Sequence, residues 1–228
     1  MKVGIILTPD DRSKAYLQKL LNHKIFLDEI IFMNDRREDN YYSNQIITNS
    51  LDYGFDISES ISTTLLRNKL SFKEFDFINI NHPELIKYIK NCSVDYFLFT
   101  GGGILKKEIL QSGPKFIHFH PGIVPQYRGS TCFYYGIIND DTCGVTAFIM
   151  DEKLDTGNII FQKIFPKPNH MFIDEVYDSY IRSETLIEVL KKNLLIKNHI
   201  KQDEKQGETY FIIHPVLKHI AILNCIKK

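Results

Sequence analysis

Residues Lys2–Pro9 read KVGIILTP, and this stretch sets the fold class. Its β-branched apolar run stops at Pro9, so Lys2–Thr8 reads as a buried first strand. Helical spacing follows in Ala15, Leu17, Leu20 and Leu21. Working outward, the texture returns in Glu29–Met33 (EIIFM), Phe75–Ile80 and Tyr96–Thr100, with the polar stretch Asn34–Asn40 closing the second run. Pro83–Asn91 predicts a helix, since Pro83 suits a first turn, where its missing N–H costs nothing. Continuous apolar strands separated by helices imply a parallel sheet covered on both faces. The first half is therefore an open, doubly wound α/β unit.

The texture changes after residue 140. Gly144–Met150 and Asn158–Phe165 are strand-like runs separated by the polar turn Asp151–Gly157, and strands linked so closely should pair antiparallel. Ile173–Lys192 is the longest helix candidate. Lys201–Glu208 reads as a charged loop containing Gly207, Thr209–Ile213 as a last short strand and Pro215–Ile226 as a closing helix. With no repeat, low-complexity tract or linker, the expectation is one domain over 1–228 whose tail, about 200–228, closes onto it. At that length folding buries roughly 70 % of the unfolded chain's surface, so no staples are needed.

The composition, 43 % hydrophobic and 25 % charged, is that of soluble globular proteins. Twenty-eight basic residues against 28 acidic ones leave no net charge to drive binding to nucleic acid or an anionic membrane, and neither is an expected partner. Cys92, Cys132, Cys143 and Cys225 lie far apart without a CxxC pair. That spacing argues for a reducing, cytoplasmic location and against a disulfide scaffold. The run Val3–Leu7 is too short for a signal peptide or a membrane span.

Chemistry-bearing residues concentrate in Phe116–Gly129, FIHFHPGIVPQYRG. His118 and His120 alternate along a strand, so both side chains share a face. Pro121 and Gly122 end that strand, and ligands of open α/β sheets gather beyond the strands' carboxyl ends. Thr100–Gly103 (TGGG) lets backbone approach a ligand, or makes a tight turn; it has neither GxGxxG nor the GK[ST] of a phosphate loop. Asp155, in the LDTG turn, is by itself a turn-former. Arg128 reads as a donor to nearby carbonyls, and Cys132 as a buried thiol with no base to activate it.

The order of these features is more specific than any one of them. GGGIL follows a strand, HxHPGxxPxYRG comes next, and LDxG has its Asp 35 residues after His120. Over about Tyr96 to Gln162 this order resembles the folate-dependent formyltransferase family, which includes the glycinamide ribonucleotide, methionyl-tRNA and sugar N-formyltransferases. The resemblance implies a Rossmann-like fold, mostly parallel with an antiparallel C-terminal portion, and 10-formyltetrahydrofolate as co-substrate. It implies that His120 and Asp155 are catalytic, and that Gly101, Gly102, Gly103, Ile104, Leu105, Asp151 and Leu154 line the folate site. The family's catalytic Asn falls on His118, a departure. His120 suits the base that takes the attacking amine's proton, Asp155 would hold its tautomer and steady its imidazolium, and a His118 N–H could serve the oxyanion as the Asn amide does.

Two rival readings stand beside this one. His118, His120 and Asp155 would also make a two-histidine, one-carboxylate metal set, although no metal is expected. The Asn-to-His departure also suits a relative that binds folate or a metabolite without turnover. The acceptor is read from absences. Thr8-Pro9-Asp10-Asp11 replaces the phosphate loop of the ribonucleotide enzymes. The roughly 65 residues after the strand beside Asp155 are too few for the C-terminal domain of the tRNA enzymes. A small amine remains as the expected partner, foremost an amino sugar on a nucleotide carrier, with self-association left open.

Overall fold

The computed structural model describes residues 1–37, 40–203 and 205–226, in two compact units, Met1–His118 and Phe119–Lys228. Glu38 and Asp39 of the predicted polar stretch, Glu204 of the charged loop and the last two lysines lie outside the described residues.

The first unit alternates strands and helices. In chain order these are β1 (Val3–Leu7), α1 (Asp11–Asn22), β2 (Glu29–Met33), α2 (Asn44–Asp52), α3 (Ile61–Arg67), β3 (Lys73–Phe75), α4 (Pro83–Lys90), β4 (Tyr96–Phe99), α5 (Lys107–Leu110) and β5 (Lys115–His120). The sheet order is β3-β2-β1-β4-β5, and every neighbouring pair is parallel. Every residue of β1 is buried, which is why its sequence is a continuous apolar run. The chain steps outward from β1 to β3, then returns to β1's other side with β4. That reversal leaves a crevice at the carboxyl ends of β1 and β4. Hydrogen bonds tie those ends together: Thr100 Oγ1 donates to the Ile6 carbonyl (2.8 Å), Ser13 Oγ to Thr100 Oγ1 (2.7 Å) and Arg12 to the Thr100 carbonyl (2.6 Å).

One predicted strand moves. Pairing with β2 covers Lys73–Phe75, not Phe75–Ile80. Beyond Phe75 the chain turns: Phe77 stacks on His82 and Asn79 Oδ1 accepts the Asn81 N–H, an Asx turn that competes with extension.

In the second unit the chain leaves β5 and forms β6 (Tyr127–Gly129), α6 (Cys132–Asp140), β7 (Thr142–Ile149), β8 (Ile159–Pro166), α7 (Asp178–Lys191), β9 (Glu208–Tyr210) and α8 (Pro215–Ile226). β7 and β8 pair antiparallel, as expected. Two predictions are corrected. The helix expected from Ile173 opens with a π-turn over Ile173–Tyr177 before α7 begins. The strand expected at Thr209–Ile213 is β9, which begins one residue earlier, ends three residues earlier and pairs parallel with β6. Among the described residues, no helix is long and apolar enough to cross a membrane.

Two glycines test how tightly β9 is held. A Cβ on Gly207 (φ +74°) would lie 1.7 Å from the Pro125 carbonyl oxygen, whereas one on Gly103 (φ +106°) meets open space. Gly103→Ala should lose about 1–2 kcal/mol from backbone strain alone. Gly207→Ala should lose more than about 3 kcal/mol, since collision joins strain. Guanidinium unfolding of both variants decides; equal losses would mean that β9 yields freely.

Candidate functional site

β5 ends at His120, whose ring is buried, 2 % exposed. Its Nε2 lies 2.8 Å from the Tyr127 carbonyl oxygen. A carbonyl can only accept, so Nε2 carries the hydrogen and the lone pair of the neutral ring sits on Nδ1. Nδ1 faces Asp155 Oδ2 at 3.4 Å. Gly122 makes the arrangement possible, because a Cβ there would lie 2.8 Å from both His120 Nε2 and the Tyr127 oxygen.

Asp155 is aimed by its own backbone. It sits in the left-handed region (φ +54°), and its Oδ2 accepts the Gly129 N–H at 2.8 Å. Gln202, 5 % exposed, donates from Nε2 to the carbonyls of Asp155 (3.0 Å) and Gly157 (2.6 Å), clamping the turn from behind. Gly157 is required there, since a Cβ would fall 1.7 Å from the Ile149 oxygen. Arg182 donates to the Phe119 carbonyl (3.0 Å) and pairs with Asp178 (2.8 Å), placing a buried cation behind the strand end.

Burial is the largest influence on His120 and lowers its pKa; Asp155's charge opposes this, and Arg182 adds to the lowering. The imidazole is therefore neutral at neutral pH and ready to take a proton. Protonation at Nδ1 gives a ring whose two N–H groups both face oxygens. Cys132, beside this site, is inert: burial foremost, then Asp155, pushes its thiol up to about 12.

His118 precedes His120 by two residues on β5, is half-buried, and lies against the Phe99 ring (6.0 Å between centroids). Ligand atoms of His118, His120 and Asp155 fall within 4.8 Å of one another. In the first unit, Gly102 (φ +114°) and Gly103 (φ +106°) hold conformations that favour glycine, and Gly101 packs against Thr8. Ile104 is 78 % exposed, while Leu105 is buried. In the second unit, Asp151 accepts from the Lys153 N–H and the Thr156 hydroxyl, and Leu154 is 53 % exposed. Arg128 has the structural role expected, but donates to the Gln206 carbonyl (3.0 Å), 78 residues away, and not to a local one.

Sequence reasoning missed Gln202 and Arg182. The Asp178–Arg182 spacing on a predicted helix was a signal for an ion pair. Gln202, in a charged loop, gave none.

The chain belongs to the formyl transferase family, whose model matches residues 37–189. It is 32 % identical over 114 residues to a methionyl-tRNA formyltransferase of Helicobacter pylori (strain P12), covering 49 % of this chain and 37 % of that protein. The chain thus spans little more than a third of that relative. Among solved structures it superposes on a Helicobacter canadensis N-formyltransferase in complex with folinic acid and dTDP-3-aminofucose. That match has TM-score 0.63, 16 % identity, and covers 99 % of this chain and 80 % of the other. It also superposes on WlaRD, a sugar 3-N-formyltransferase in the presence of dTDP and 5-N-formyl-THF, with TM-score 0.64, 17 % identity, and 99 % and 79 % covered. At these identities the likeness is one of fold, α/β and mostly parallel.

The His120 ring should titrate below 6.5 in the folded protein, and lower still in Asp155→Asn, which loses the opposing charge. The unfolded chain takes up this proton near 6.5 and the folded one does not. The contribution to stability is therefore full above 6.5 and lost as pH falls from there towards the folded value. Histidine NMR titration is the measurement, and a value at or above 6.5 would contradict the burial argument. Gln202→Met, which keeps bulk but leaves two carbonyls unpaired, should cost about 1–3 kcal/mol in chemical unfolding.

Proposed function

We propose that the chain transfers a formyl group from 10-formyltetrahydrofolate to a primary amine of a small acceptor, a nucleotide-linked amino sugar. The observation that carries this is the buried His120–Asp155 pair, its tautomer set by the Tyr127 carbonyl, within the family's matched segment. Ile104 and Leu154 expose apolar side chains on the two loops that the family resemblance assigns to folate, and Gly103 beside Ile104 borders open space. These features fit a flat heteroaromatic ring edged with hydrogen-bonding groups. By the family resemblance, Gly101, Gly102, Gly103, Ile104, Leu105, Asp151 and Leu154 would hold it. The bound folate supplies the formyl group.

The protein's own part is proton handling. His120 Nδ1 takes the proton that the acceptor amine sheds on attack, and that proton goes on to N10 of the departing tetrahydrofolate as its bond to the formyl carbon breaks, while Nε2 keeps its hydrogen on the Tyr127 oxygen. Asp155 Oδ2 faces the proton newly held at Nδ1, and the Gly129 N–H keeps that oxygen in place. His118, where the family carries Asn, donates an N–H to the formyl oxygen as charge develops there.

The amino-sugar acceptor is supported by zero net charge, by the acidic Asp10–Asp11 after β1, and by the dTDP-sugar named with the Helicobacter canadensis structure. A charged tRNA is the second reading, favoured by the name of the Helicobacter pylori relative. Purified protein with 10-formyltetrahydrofolate should formylate a member of an amino-sugar nucleotide panel and leave methionyl-tRNA untouched; the reverse result replaces the first reading with the second. His120→Asn should lower turnover by roughly 10²–10⁴-fold, with Asp155→Asn of similar severity. His118→Asn should keep most activity, and His118→Ala should lose roughly 10²–10³-fold. Chelator treatment should leave turnover unchanged; loss of activity restored by a divalent ion would support the metal reading of the same three side chains.

A further inference from the structure

Arg182 is 6 % exposed on α7, among Ile181, Leu186 and Val189, which are buried as well. Its Nη1 donates to the Phe119 carbonyl (3.0 Å), the peptide group that leads into His120. Its Nε donates to Asp178 Oδ1 (2.8 Å), one helical turn earlier. The planar fork of a guanidinium holds two acceptors in one fixed geometry, which an ammonium does not. A buried ion pair is seldom worth more to stability than two apolar side chains of the same volume. Stability alone therefore gives no reason for charges at Asp178 and Arg182.

The π-turn ahead of α7 sets which residues face the end of β5. The Tyr177 N–H reaches back five residues to the Phe172 carbonyl (3.1 Å). Such a turn takes up one residue more than an α-turn, and each residue rotates a helix by about 100°. Tyr177 Oη pins the turn to the Pro166 carbonyl (2.6 Å), and Tyr134 Oη pins it through Asp174. Asp178 then opens α7, and Arg182 follows it toward Phe119. We propose that Arg182, steadied by Asp178, is a positioning residue: it fixes the peptide that carries His120 and so keeps the ring's Nε2 on the Tyr127 carbonyl. Its effect on turnover rests on the formyl-transfer reading; its effect on the ring does not. Misplacing a reacting group by about 1 Å costs up to about 10²-fold, so loss of Arg182 should lower kcat by roughly 10–10²-fold and leave KM for the donor within about twofold.

The test removes both charges together, Asp178→Asn/Arg182→Met in the full chain, so that no carboxylate is left buried alone. Nitrogen-15 NMR of the imidazoles, at a pH where the rings are neutral, reads the tautomer directly. Wild-type His120 should be the Nε2–H form, and the double variant a mixture of both forms with the stated fall in kcat. A residue that only props up the fold would lower the melting temperature and leave the folded protein's tautomer alone. If the double variant melts well below wild type, Arg182→Lys decides instead: its ammonium cannot keep both acceptors in the fork's geometry, so the same mixture is expected. An unchanged tautomer in the variant that folds would overturn the proposal, and so would a mixed tautomer with wild-type kcat. Failure of wild-type protein to formylate any acceptor removes the transfer reading itself, and the tautomer then still decides whether Arg182 positions His120.

Discussion

The hydrogen bond from His120 Nε2 to the Tyr127 carbonyl decides what this imidazole can do. It places the hydrogen on one nitrogen and leaves the lone pair on the other, against Asp155. Without it both tautomers would compete, and only one presents a base at Nδ1. Burial then keeps the ring neutral at neutral pH. The base of the proposed transfer must be unprotonated before the reaction and well accommodated once protonated. Here burial supplies the first condition and the two facing oxygens supply the second.

Much of the second unit serves that bond and its partner. β6 carries both the Tyr127 carbonyl and the Gly129 N–H that holds Asp155, so one three-residue strand fixes each half of the pair. β9 pairs along β6, and Gln202, ahead of β9, grips the turn that bears Asp155. What reads in the sequence as a charged loop is, in the fold, the support of the site.

How legible these features are follows from how local their causes are. β1, β2 and β4 stand out because strands inside a parallel sheet are apolar throughout, a signal contained within each run. β3 was misplaced because only three residues pair at that edge, and Phe77 and Ile80 continue the apolar texture without pairing. α2 and α3 went unread although Ser43 and Ser60 cap them, since helices of nine and seven residues are too short to display a helical period. In the site, His118, His120 and Asp155 could be singled out, the last only through resemblance, because a left-handed Asp in a turn looks like any other turn residue. The tautomer of His120 and the grip of Gln202 depend on carbonyls distant in sequence, which residue types do not encode.

The pairing of β6 with β9 joins Tyr127 to Glu208 across 81 residues, and the order of synthesis follows from it. A chain emerging from the ribosome exposes β5, β6, β7 and β8 long before β9 exists. Until Gln202 and β9 arrive, the Asp155 turn lacks its two backbone clamps and β6 has an open edge. The His–Asp pair therefore cannot be finished piecemeal. It is completed only once Gln202 and β9 have emerged, when the polypeptide returns to a strand made about eighty residues earlier.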